Sequence, residues 1–166
     1  MSEKRLIIDQ LRLNYSGIFN LGELFRMVDE WFYEKGYDRW EKKNEETVTE
    51  TGKRIEIELR PWKKITDYAK NEIRLRMFVD NMTDIEADKD GKKTKMNKGD
   101  IQMIFDAFLE TDYENRWESK PVYYFLRTII DKYMFRVYTG KFTGNLAADT
   151  KDLHQRIKSF LNLYKY

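Results

Sequence analysis

Between Lys53 and Pro61 the side chains alternate: Ile55, Ile57 and Leu59 fall on one side of an extended chain, and Arg54, Glu56, Glu58 and Arg60 on the other. Asn71 to Asp80 repeats the pattern, with Ile73, Leu75, Met77 and Val79 set against Glu72, Arg74 and Arg76. A period of two with the charges on one side belongs to a sheet packed on one face and solvated on the other. If these two strands pair antiparallel, Glu58 and Glu56 lie opposite Arg74 and Arg76, an ion ladder contributing about 0.2–1 kcal/mol per pair.

Other segments extend the sheet. Asp90-Gly91, between Asp84–Lys89 and Lys92–Asn97, predicts a type I′ hairpin, because both turn residues must tolerate positive φ. In the run 101–111, Ile101, Met103, Phe105, Ala107 and Leu109 share one face while Ile104 and Phe108 lie on the other. Apolar residues on both faces place that strand centrally. Tyr37 to Glu50 reads as an edge strand whose Lys and Glu residues discourage pairing with a second sheet. Thr51-Gly52 marks a turn, and Pro61-Trp62 ends the 53–60 strand, since proline cannot donate to a ladder. Residues 5–14 form a first strand with Leu6, Ile8 and Gln10 on one side.

Helical periodicity frames the strands. Asn20 is placed to cap a helix, Glu23 to complete a capping box, and Phe19 to staple against Leu24. Leu21, Leu24, Phe25, Val28, Trp31 and Phe32 then form one stripe, and Gly36 supplies a left-handed end. A second helix is expected after a Ser119 cap and an early Pro121. Its wide apolar face comprises Val122, Phe125, Leu126, Ile129, Ile130, Tyr133, Met134 and Val137. Gly140 and Gly144 are expected to bracket a loop, with a third helix from Thr150 to Tyr164 carrying Leu153, Ile157, Phe160 and Leu161.

A chain of 166 residues without repeats or Pro/Ser-rich linkers fits one α+β domain over residues 1–166. The expected architecture is a twisted, mainly antiparallel sheet of five to six strands. Three helices, one N-terminal and two C-terminal, should cover one of its faces. This element order loosely resembles, over residues 3–138, the helix-grip domains of the START-type lipid-binding and cyclase families. The resemblance is topological and carries no motif, so it implies a fold and no site residues.

Composition removes several chemistries. With no Cys there are no disulfides, thiolate metal sites or cysteine nucleophiles, and a single His leaves little for a histidine relay or zinc site. The scattered glycines build neither a P-loop nor a dinucleotide fingerprint, so no cofactor is expected. Nor does Tyr15-Ser16-Gly17 make a nucleophile elbow. Met1 to Arg5 followed by the short patch Leu6–Ile8 does not fit a signal peptide, and no apolar run is long enough to span a bilayer. A cytoplasmic protein is the expectation. A net charge of +2 is too weak to argue for nucleic acid by itself.

Four groups of residues invite a functional reading. Lys89, Lys92, Lys93, Lys95 and Lys98, with Asp90 as the acidic residue among them, would put positive charge on a projecting ribbon that suits a phosphate backbone or an anionic surface. The plainer explanation is a solvated hairpin using lysine against aggregation. Asp106, Glu110, Asp112, Glu114 and Glu118 form an acidic strip; paired carboxylates can hold Mg²⁺ or transfer protons, although this spacing matches no metal loop. Opposite charges on ribbon and strip also admit head-to-tail self-association into a homo-oligomer. His154, beside the third helix's stripe, is better read as a boundary histidine packing its ring edge-on than as a lone base. Trp31, Trp62, Trp117, Tyr123 and Tyr124 would line an apolar pocket or simply pack the core. Tyr123 and Tyr124 cannot both face inward, so an exposed aromatic edge near Trp117 is the expected contact for a partner protein.

The absence of catalytic equipment favours a non-catalytic binding or interaction protein, engaging a protein or ribonucleoprotein partner. The alternatives are a domain binding a small apolar ligand in an aromatic-lined cavity beneath the second helix, and a carboxylate- and metal-dependent enzyme using Asp106 and Glu110.

Overall fold

In the computed structural model, which describes residues 3–38, 41–111, 121–129 and 135–163, the chain is an α+β fold. Its strands are β1 (Glu3–Phe19), β2 (Glu41–Thr49), β3 (Gly52–Leu59), β4 (Trp62–Lys64), β5 (Ala69–Lys89) and β6 (Lys92–Thr111). They form a six-stranded sheet in the order β1-β6-β5-β3-β2, with β4 paired to β5, and all pairings are antiparallel. The helices are α1 (Leu21–Lys35), α2 (Pro121–Ile129) and α3 (Phe135–Asn162).

The alternating runs land as expected. Ile55, Ile57 and Leu59 of β3, Ile73, Leu75, Met77 and Val79 of β5, and Ile101, Met103, Phe105, Ala107 and Leu109 of β6 are all buried on one face. That face receives α1 and α3. β6 is central, between β1 and β5, while β2 is an edge rich in Lys and Glu. In α1 the Asn20 side chain accepts from the Glu23 N–H at 3.0 Å, and Gly36 ends the helix at φ 76°. At the hairpin tip Asp90 and Gly91 take φ 53° and 77°, the two positive values a type I′ turn demands.

Four expectations need correction. The first strand runs from Glu3 to Phe19, not 5–14, and it is irregular. Its register slips around Ile8, and Gln10 stands at φ 50°; this bulge breaks the alternation, leaving Leu6 exposed while Leu13 is buried. Gly140 and Gly144 do not bracket a loop but lie within the 28-residue α3. Leu146, Thr150, Leu153, Ile157 and Leu161 form one buried stripe along that helix, so packing overrides the local preference of two glycines. Of the wide face expected on the second helix, Val122, Phe125, Leu126 and Ile129 are exposed rather than packed, while the side chains of Ile130, Tyr133, Met134 and Val137 lie outside the described residues; among the described residues α1 and α3 cover the sheet. Finally, Glu58 does face Arg76, but Glu56 faces Phe78, and no Glu56–Arg pair forms across β3 and β5 among the described residues. Glu56 instead meets Lys43 at 2.9 Å, and Glu58 meets Arg60 at 2.7 Å.

Candidate functional site

The solvated face of the sheet is organised around one carboxylate. Asp106 projects from the outer side of β6 and is only 1% exposed. Register sets Arg74 directly opposite it, and the guanidinium donates to Oδ2 through Nε at 3.0 Å and Nη2 at 2.7 Å. Arg76 adds a third bond at 3.0 Å, and the Gln10 N–H, turned out of the ladder by the bulge, donates to Oδ1 at 2.8 Å. Burial pushes the Asp106 carboxyl up, but the Gln10 N–H and the two guanidinium groups prevail and hold it below its ordinary value. Phe108 screens the cluster, with Arg74 5.7 Å and Lys4 5.4 Å from its ring centre. Glu110 is engaged by Lys70 at 3.2 Å, and Glu72 by Lys4 at 3.0 Å. Asp106 and Glu110 are thus clamped by cations, and the described residues contain no cluster of three metal-ligating side chains. Asp112, Glu114 and Glu118 lie outside the described residues.

The lysine ribbon looks different once its partner strand is in place. Lys93 faces Asp88 and Lys95 faces Glu86, all four exposed. Asp84 accepts from the Asn97 amide at 3.0 Å, and Asn97 Oδ1 in turn accepts from the Leu21 N–H at 3.0 Å, tying the ribbon to the start of α1. From Asp84 to Lys98 five lysines stand with four carboxylates, so little net charge is left for a phosphate backbone. Lys92 and Lys98 are exposed; the Lys89 side chain lies outside the described set.

The aromatic residues are dispersed. Trp31 is buried, donates from Nε1 to Asp152 at 2.8 Å, and stacks on Tyr37 with ring centres 5.8 Å apart. Tyr37 donates its hydroxyl to Asp149 at 3.1 Å; burial first, and Asp149 second, raise its ionisation far above the ordinary range. This pair bolts the end of α1 to α3 and is structural. Trp62 is half-buried, with Lys70 5.6 Å from its ring centre. Trp117, and the side chains of Tyr123 and Tyr124 on α2, lie outside the described residues. Beneath α1 the apolar space lined by Leu24, Val28, Ile57 and Met77 is about 10 Å³, at most the room of a single water.

Two exposed features remain. On α2, Val122, Phe125, Leu126 and Ile129 recur at helical spacing and are 67%, 66%, 41% and 39% exposed, forming an apolar stripe that faces away from the core. The sequence showed that stripe but could not show that it is unburied. The second feature was invisible to sequence reasoning: a half-open groove of about 290 Å³ between β1 and the C-terminal half of α3. Its residues include Leu13, Asn14, Tyr15, His154, Lys158 and Leu161. His154 packs edge-on to Phe105, ring centres 5.4 Å apart, and its Nε2 lies 3.0 Å from the Arg12 carbonyl. A carbonyl only accepts, so the proton is on Nε2 and the ring acts as a clasp. The two walls are 142 residues apart in the chain, so no local spacing announces them.

The chain matches no protein-family model, no curated protein and no solved structure.

Proposed function

We propose that this chain is a non-catalytic interaction domain that engages a protein partner through the apolar stripe of α2. The observation behind this reading is the exposure of Val122, Phe125, Leu126 and Ile129 along one helical face. A soluble helix ordinarily turns such a stripe inward, and a row of anchors at i, i+3, i+4 and i+7 is what helix-in-groove recognition uses. Burying Phe125 and Ile129 in a partner would each contribute about 1.5–3 kcal/mol. Asp106 and Glu110, held by cations, give less support to a catalytic reading. Charge cancellation along the ribbon likewise weakens a ribonucleoprotein reading. The test is native mass spectrometry of affinity-purified protein. A stoichiometric protein partner should be lost in the Phe125→Asp/Ile129→Asp double variant and kept in Lys93→Glu/Lys95→Glu. An identical set of partners in all three, or a partner released by nuclease, sinks the proposal.

A further inference from the structure

We infer that the groove between β1 and α3 is a second docking site, one that takes an extended acidic peptide from a partner protein as an added strand. It stands on different residues from α2 and does not depend on that surface. β1 ends the sheet order, so among the described residues one side of its backbone has no strand neighbour. The Arg12 carbonyl points to that open side, where His154 holds it. Alternation in an antiparallel ladder then turns the backbone N–H and C=O groups of Asn14 and Ser16 to the same side. Most of the strand is guarded against pairing: Glu3, Lys4, Arg5 and Asp9 charge its first half, and the bulge at Gln10 kinks it. Asn14 to Gly17 carries no charge.

The groove beside this stretch gives the occupant its chemistry. Leu13, Tyr15 and Leu161 supply an apolar floor. Asn14, Lys158 and Asn162 line the groove with no hydrogen-bond or ion-pair partner among the described residues, so two amides and an ammonium are free to meet a ligand. The basic residues lining it are Arg12, His154 and Lys158, and Tyr15 is its remaining ionisable side chain, with no carboxylate among the lining residues. The Arg12 guanidinium is turned to the Gln10 side chain at 3.1 Å, which leaves Lys158 as the cation for an incoming acid. An added strand would bond to the backbone around Asn14, set apolar side chains on the floor and pair a Glu or Asp with Lys158. His154, holding the Arg12 carbonyl, marks where that strand must stop.

A display library of random heptapeptides, selected on the intact chain, tests this. Recovered sequences should alternate apolar residues with Asp or Glu. Synthetic copies should bind about tenfold more weakly to Lys158→Glu, the loss of one charge-assisted pair, and equally well to Phe125→Asp. Methylating alternate backbone nitrogens of the peptide should abolish binding. Lys158 is exposed, so the variant should melt with the parent. The inference is overturned if no acidic sequence is enriched. It is equally overturned if the enriched peptides ignore Lys158→Glu, or if they prove to be helix formers lost with Phe125→Asp.

Discussion

Asp106 shows how much one side chain on a wet face can organise. Its alternation places it among solvent-facing residues, yet two arginines and the Gln10 N–H enclose it. Because the folded carboxyl gives up its proton more readily than the unfolded one, its stabilisation is fully present above the unfolded value of about 3.9. It is lost as pH falls through the lower folded value. Asp106→Asn should therefore cost about 1.5–3 kcal/mol at pH 7, the range for hydrogen bonds to a charged group, and should flatten the acid limb of the stability curve. Urea unfolding at pH 7 and pH 3 checks this; equal losses at both pH values would refute it. Nothing in the neighbourhood of Asp106 in the chain predicts its role. Two partners, Arg74 and Arg76, arrive from β5, and the third, the Gln10 N–H, is available only because Gln10 is in a left-handed conformation.

Elements were legible where the signals were local. The ends of α1 follow from Asn20 and Gly36, and the β5–β6 turn from Asp90-Gly91, because capping and positive φ are properties of a few adjacent residues. The start of α3 was not legible, because Gly140 and Gly144 look like breaks until Leu146 and Thr150 join the buried stripe. A Cβ at either glycine would meet nothing within 4 Å. Gly140→Ala and Gly144→Ala should each stabilise by about 0.8–1 kcal/mol, read as a higher midpoint in chemical denaturation. No gain would mean that this part of α3 contributes nothing to the folded state. The bulge in β5, where Asn81 has φ 54°, behaves oppositely. A Cβ on Gly99 would lie 2.9 Å from the Asp80 carbonyl oxygen and 3.1 Å from the Met82 Cα. Gly99→Ala should destabilise by about 1–3 kcal/mol, the usual cost of overpacking.

For the whole molecule, the contrast between its two C-terminal helices matters most. Both carry apolar stripes in the sequence, but α3 buries Leu153 and Ile157 completely while α2 leaves Phe125 in solvent. Leu153→Ala should cost about 2–5 kcal/mol of stability, whereas Phe125→Asp should change it by about 0.5 kcal/mol or less. Thermal melts of the two variants distinguish a core helix from a docking helix. A large loss for Phe125→Asp would show that α2 packs within the chain and would remove the proposed partner surface. Salt titration tests the ribbon. With Asp84, Glu86 and Asp88 beside its lysines, any affinity for single-stranded RNA should be weak and little altered by Lys93→Glu/Lys95→Glu.

By itself the sequence determined the fold class, the core faces of β3, β5 and β6, the limits of α1 and the tight β-hairpin. Those follow from periodicities of two and 3.6 residues and from the backbone preferences of single residues, which neighbours in the chain suffice to express. Only tertiary structure decided which apolar stripes are buried, which cations hold Asp106 and where the groove lies. It also set the ribbon's acidic residues against its lysines. Each of these depends on register and on long-range closure between distant strands and helices, and a linear pattern does not contain them.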